Sequence, residues 1–312
     1  MTMNFDSEIA QALAAMGEAP IPELDRGDAL ALRGYTNATL DLLATLEPAA
    51  PDVQTSDHSV PVNGGEVLAR WYTKAGESPG SAVIYYHGGG MVCGSVEAYD
   101  TLVKRYVQDT GVPFLSVDYR LAPEHPGTVL VDDGYAAVRW LAERADDFGF
   151  SGDRLAVMGD SGGGGVAAGV AIAARDGGTA LARQILIYPM LDDRNLEPDP
   201  EISSFATWSY DNNYTGWHAL LGASLGTDGV SPYAAPSRLA DFAGLAPAYI
   251  EVGELDIFRD EDVQYARALQ SAGVSTELHV HPGAPHAFER LAGGSDLAAR
   301  AYADRFRVIR SL

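Results

Sequence analysis

The sequence is poor in cysteine, in basic residues and in long apolar runs. A single cysteine, Cys93, occurs in 312 residues, so neither an intramolecular disulfide nor a cysteine-rich metal site is available. That usage fits a reducing compartment. Lys and Arg number 21 against 43 Asp and Glu, a formal net charge of −22. A surface of that sign repels a phosphate backbone and anionic lipid, which argues against nucleic acid as a partner and against stable membrane anchoring. No apolar run reaches the roughly 18 residues of a membrane span. The first basic residue is Arg26, so the N-terminus lacks the basic stretch of a secretory signal. Together these absences predict a cytoplasmic protein.

What is present is ordinary globular material. With 46% hydrophobic residues, the chain has enough apolar side chains to exclude disorder. Residues 59–62 and 66–73 read as strands around Asn63-Gly64-Gly65, a hairpin signal. Short apolar runs follow at 82–86, 114–117, 155–158, 184–188, 248–252 and 276–280. Helical spacing marks 7–16, 27–46, 99–110, 132–144, 164–175 and 260–272. Strands alternating with helices predict an α/β fold, a mostly parallel sheet flanked by helices. Residues 195–226 break this rhythm. They are too long for a simple connection, and they carry Trp208, Tyr210, Tyr214 and Trp217, as a lid over a site would.

The chemistry begins at Gly159-Asp160-Ser161-Gly162-Gly163, where an apolar strand runs into Gly-x-Ser-x-Gly and then a Gly/Ala-rich helix. A sharp strand-to-helix turn lifts the central hydroxyl clear of the sheet, and glycines on either side relieve the crowding. The positive end of the following helix favours a developing oxyanion. The same stretch matches a dinucleotide fingerprint, Gly162-x-Gly164-x-x-Ala167. The next strand, however, ends at Tyr188-Pro189 and not at the acid that fingerprint requires.

A serine nucleophile needs a base and an orienting acid, in the chain order serine, acid, histidine. His279 and His281 alternate along a strand and read as strand-face residues. His286 lies in a loop just past that strand, where a base must sit. Asp256 falls between the preceding strand and the next helix, and is preferred to Glu254 and Asp260 on that ground. Upstream, His87-Gly88-Gly89-Gly90 closes another strand. Glycines there let backbone N–H groups approach a substrate, as in the oxyanion loops of lipases and esterases. Cys93, just beyond, reads as core filling.

These motifs, with Asp118-Tyr-Arg-Leu-Ala-Pro-Glu-His125, Tyr188-Pro-Met-Leu191 and His286-Ala-Phe288, resemble the bacterial hormone-sensitive-lipase-like esterases of the α/β-hydrolase fold. The resemblance runs from about residue 60 to the end of the chain. It implies an eight-stranded, mostly parallel sheet with a helical cap. It divides the chain into an N-terminal cap segment, 1–48, and a catalytic domain, 49–312, with a cap insertion at about 196–226. It implies Ser161 as nucleophile, His286 as base and Asp256 as its orienting acid. The N–H groups of Gly89, Gly90 and Gly162 become the oxyanion hole, supported by His87, Gly88 and Asp160. Met91, Trp208, Tyr214 and Trp217 become pocket residues. Three positions depart from the family habit: Gly162 replaces the usual Ala, Asp256-Ile-Phe replaces Asp-Pro-Leu, and Met91 replaces Phe or Trp.

The expected function is hydrolysis of short- to medium-chain neutral carboxylic esters through an acyl-enzyme, with no metal and no organic cofactor. The negative surface disfavours anionic substrates. The same residues serve amide, lactone or carbamate cleavage, and a binding protein that keeps only the pocket is the contrasting class. The partner expected is a small-molecule ester. Assembly as a homo-oligomer stays open.

Overall fold

In the strands of the sheet, consecutive side chains enter two different cores. The computed structural model describes residues 3–17, 24–77 and 79–312. Its eight strands are β1 (Val53–Val62), β2 (Gly65–Lys74), β3 (Ala82–Tyr86), β4 (Phe114–Val117), β5 (Leu155–Asp160), β6 (Arg183–Ile187), β7 (Ala248–Gly253) and β8 (Thr276–His281). They form one sheet in the order β1-β2-β4-β3-β5-β6-β7-β8. Only β2 runs against the others.

The helices are α1 (Ser7–Met16), α2 (Ala29–Ala44), α3 (Asp100–Thr110), α4 (Val129–Ala142), α5 (Ala145–Phe148), α6 (Gly162–Asp176), α7 (Tyr210–Leu221), α8 (Arg259–Ser271), α9 (Phe288–Leu291) and α10 (Asp296–Arg310). Ile84, Val157, Leu186 and Ile250 pack with α4, α6 and α8 on one face. Val83, Met158, Ile185 and Tyr249 pack with α3 and α10 on the other. This period-2 split, with both faces covered, is why the central strands read as unbroken apolar runs. Among the described residues no helix is long and apolar enough to cross a membrane.

The expected elements are present with shifted ends. The first strand starts at Val53, not at residue 59, because its outer half is a polar, exposed sheet edge that carries no apolar alternation. The helix expected from residue 27 starts at Ala29: Gly27 has φ +95°, and the Asp28 side chain caps the helix by accepting from Ala31 N at 2.9 Å. Helix α4 begins a turn earlier than expected. Helix α10 is additional to the helices expected from the sequence.

Of the two segments expected to form a cap, residues 1, 2 and 18–23 are outside the described residues. Helix α1 packs through Ile9 on Ala284, Phe288 and Leu297. Phe5 meets Phe205 edge to face at 5.1 Å. Gly27 N donates to Thr215 Oγ1 at 2.9 Å, and the Arg26 guanidinium lies 4.1 Å above the Tyr214 ring, which stacks on His218. Thus the N-terminal segment and the 196–226 segment touch each other.

Candidate active site

Ser161 stands between β5 and α6 with φ +56° and ψ −120°, a backbone conformation costly for any side chain but glycine. The turn is held from outside. Ser161 N donates to Ile187 O at 2.8 Å, and its carbonyl accepts from Met190 N at 2.9 Å. It also needs backbone contact that no Cβ permits: a Cβ on Gly159 would stand 2.1 Å from Gly163 O, and one on Gly163 2.1 Å from Tyr86 O. The strain of the elbow is therefore paid by flanking glycines, as the sequence pattern implies.

The loops after β7 and β8 bring the other two expected residues to it. His286 Nε2 lies 2.9 Å from Ser161 Oγ, and His286 Nδ1 lies 2.7 Å from Asp256 Oδ2. Asp256 is fully buried, and its Oδ1 accepts from Phe258 N at 3.0 Å. Thr207 Oγ1 donates to the His286 carbonyl at 2.7 Å, so the 196–226 segment ties down the histidine loop. His279 and His281 stack on one another along β8, away from this chain of hydrogen bonds.

Gly89, Gly90 and Met91 all have positive φ, at +120°, +58° and +66°. The turn closes when Val92 N and Cys93 N both donate to Gly89 O, at 3.1 and 2.9 Å. Gly162 faces it directly: a Cβ there would meet Met91 N at 2.7 Å and Gly90 N at 2.9 Å. The amide groups of the two glycine segments therefore converge beside Ser161. His87 is wholly buried, its Nδ1 is 2.9 Å from Gly88 O, and its ring stacks on Tyr119 at 4.4 Å. Burial lowers its pKa and keeps the ring neutral. A Cβ on Gly88 would meet the Tyr99 hydroxyl at 2.6 Å. Cys93 is buried, and burial pushes its thiol up to about 12, so it is core filling as expected.

Of the expected pocket residues, Trp208 lies on the glycine loop: a Cβ on Gly90 would meet its ring at 2.5 Å. Met91 and Trp217 are buried beside it in the same core. Tyr214 is engaged by Arg26 and His218 at the junction with the N-terminal segment. Ser161 and His286 are only 5% and 7% exposed, so the site is nearly closed.

Beneath the site lies a set of buried charges that sequence reasoning missed. Tyr188 packs edge-on against His286, centroids 4.6 Å apart, and donates to Glu289 Oε1 at 2.7 Å. Arg305, on α10, donates to Glu289 at 3.0 Å and to Glu251 at 2.8 Å, all three side chains being fully buried. Burial pushes the Glu251 carboxyl up, but Arg305 and His281 outweigh it and hold it at about 2. Asp160, next to Ser161, accepts from Tyr85 at 2.7 Å; burial pushes it up to about 7 against the pull of Arg305. The signal for Arg305 was available, since it falls on the apolar face of α10.

Among the described residues, Glu277, His279 and Asp304 have donor atoms within 4.8 Å of one another, the spacing of a metal site. Arg307 already donates to both acids, so the group reads as a surface ion-pair cluster.

The profile of a family described as alpha/beta hydrolase fold matches residues 83–290. LipN, a carboxylic ester hydrolase of Mycobacterium tuberculosis, is 35% identical over 252 residues, 78% of this chain and 67% of LipN. An ethyl acetate hydrolase of Pseudomonas putida is 36% identical over 242 residues, 76% of each chain. Among solved structures, a bacterial heroin esterase superposes with a TM-score of 0.89 at 33% identity, covering 99% of this chain and 98% of its own. The chain therefore belongs to the α/β-hydrolase-fold family, in its hormone-sensitive-lipase-like esterase branch.

Proposed function

We propose that the protein is a serine carboxylesterase acting on short- to medium-chain neutral esters, with Ser161, His286 and Asp256 as its catalytic residues. The observation that carries this reading is the unbroken chain of hydrogen bonds from Ser161 Oγ through His286 to Asp256 at 2.9 and 2.7 Å. Ser161 Oγ attacks the ester carbonyl while His286 Nε2 takes its proton, and Asp256 holds the imidazole and stabilises its charged form. The carbonyl oxygen becomes an oxyanion between the N–H groups of Gly89, Gly90 and Gly162. His286 then gives the proton to the leaving alcohol. Water repeats the sequence on the acyl-Ser161 ester, releasing the acid and restoring the serine.

The buried, neutral His87 shapes the glycine loop and takes no proton in this scheme. Residues 1–48 and about 196–226 act as the cap over the catalytic domain. Trp208, seated on Gly90, sets the length of acyl chain the pocket takes, with Met91 and Trp217 behind it. The lone buried Cys93 supports a cytoplasmic setting. The test is hydrolysis of p-nitrophenyl esters from acetate to palmitate by the wild type and Ser161→Ala. Activity through about eight carbons, lost in Ser161→Ala with an unchanged circular dichroism spectrum, supports the reading; full activity of that variant would overturn it.

A further inference from the structure

Resting on the esterase reading above, we infer that α2 positions the oxyanion loop, with Arg33 and Asn37 as positioning residues for the reaction. Residues 33, 36 and 37 share one face of this helix, by i, i+3 and i+4 spacing. That face meets three consecutive residues of the glycine loop. Arg33 Nε donates to Val92 O at 2.6 Å, Thr36 lies against the Cys93 thiol, and Asn37 Oδ1 accepts from Gly94 N at 2.9 Å. The same guanidinium donates to Ala122 O at 2.7 Å and clasps both oxygens of Glu124 at 2.8 and 2.7 Å. Ala122 N in turn donates to Met91 O at 3.1 Å. Arg33 therefore fixes the loop directly at Val92 and through Ala122 at Met91.

The loop needs such a hold. Three successive residues with positive φ, one of them the non-glycine Met91, persist only where their surroundings over-determine them. Its own hydrogen bonds, both to Gly89 O, close the turn but do not anchor it to the domain. A planar fork with several donors suits this task, because it meets two carbonyls and a carboxylate at once. Oxyanion donors are effective only at the position the oxyanion will occupy, and a misplacement of about 1 Å can cost about 10²-fold in rate. Helix α2 thus acts on the chemistry without touching the substrate.

The test uses the full chain carrying Arg33→Met, Arg33→Lys or Asn37→Ala, assayed on p-nitrophenyl acetate beside the wild type and Ser161→Ala. Each is also titrated with a trifluoromethyl ketone, whose adduct on Ser161 places an oxyanion in the hole. The expected result for Arg33→Met is a fall in kcat of about 10- to 100-fold, KM within about twofold, and a matching loss of ketone affinity. Arg33→Lys recovers part of both, because an ammonium reaches one carbonyl but not the whole set. Asn37→Ala gives the same signature at smaller size and serves if Arg33→Met does not fold. Unchanged kcat and ketone affinity, with only a raised KM or a lowered Tm, would make α2 a mere cover and overturn the inference. A wild type no faster than Ser161→Ala would instead overturn the esterase reading, and this inference with it.

Discussion

Asp256 Oδ2 and His286 Nδ1 meet at 2.7 Å, although one follows β7 and the other follows β8. With Oδ1 taken by the Phe258 amide, the carboxylate has one orientation, and so does the imidazole it holds. An Asp256→Asn amide keeps the shape but favours the wrong imidazole tautomer. Its kcat should fall by about 10⁴-fold with the fold intact, measured by initial rates and circular dichroism.

Gly162 yields a second prediction. An added methyl in Gly162→Ala would press on the amides of Gly90 and Met91, at 2.7 to 2.9 Å. The loop is held by Arg33 and Asn37, so it cannot simply retreat. We expect kcat to drop by up to about 10²-fold, with KM little changed. An unaltered rate would mean that the loop yields freely.

Trp208 offers a third. Its ring fills the space beside Gly90. Trp208→Ala should raise kcat/KM for octanoate relative to acetate by roughly 10-fold, since room for about two more methylenes at about 0.8 kcal/mol each is worth roughly 1.6 kcal/mol. A chain-length series on both proteins measures this; an unchanged profile would place the acyl chain elsewhere.

Stability should respond to pH through Asp160. Its pKa is raised by burial from the ordinary 3.8 to about 7. Between those values the folded state holds a proton that the unfolded state has lost. Folding is therefore favoured at the acid end of this window and weakened as pH rises through it, levelling off above about 7. Glu261 and Asp262, also pushed up by burial, act in the same direction. In Asp160→Asn the decline in Tm from pH 5 to pH 8 should shrink; an equal decline in both proteins would assign it to other groups.

The geometry of the candidate site is legible in the sequence because each of its residues follows the end of a strand, and strand ends are marked by apolar runs meeting Gly, Pro or Asp. Ser161, Asp256 and His286 all lie at such boundaries. What was not legible depends on side chains that meet from distant parts of the chain. Nothing in the spacing of Arg33 ties it to Val92 or Glu124, and Tyr188 reads in the sequence as an ordinary strand end although its ring packs against His286. Helix α10 has apolar residues at Leu297, Ala298, Ala301, Tyr302, Val308 and Ile309, a helical stripe that could have been read. Arg305 interrupts that stripe with a charge whose partners lie on β7 and α9.

Arg305 also bears on the order in which a working molecule comes into being. During synthesis Ser161 and His286 emerge first, but Arg305, the cation that pairs with both Glu251 and Glu289, comes later. Until then Glu289 lacks that cation and Glu251 has only His281 beside it, and burying the two carboxylates so costs several kcal/mol. Tyr188, which walls His286, bonds to one of them. The nascent chain can thus assemble most of its sheet while remaining unable to turn over an ester. A chain cut after Ser295 should bind a hydrophobic dye and show no turnover.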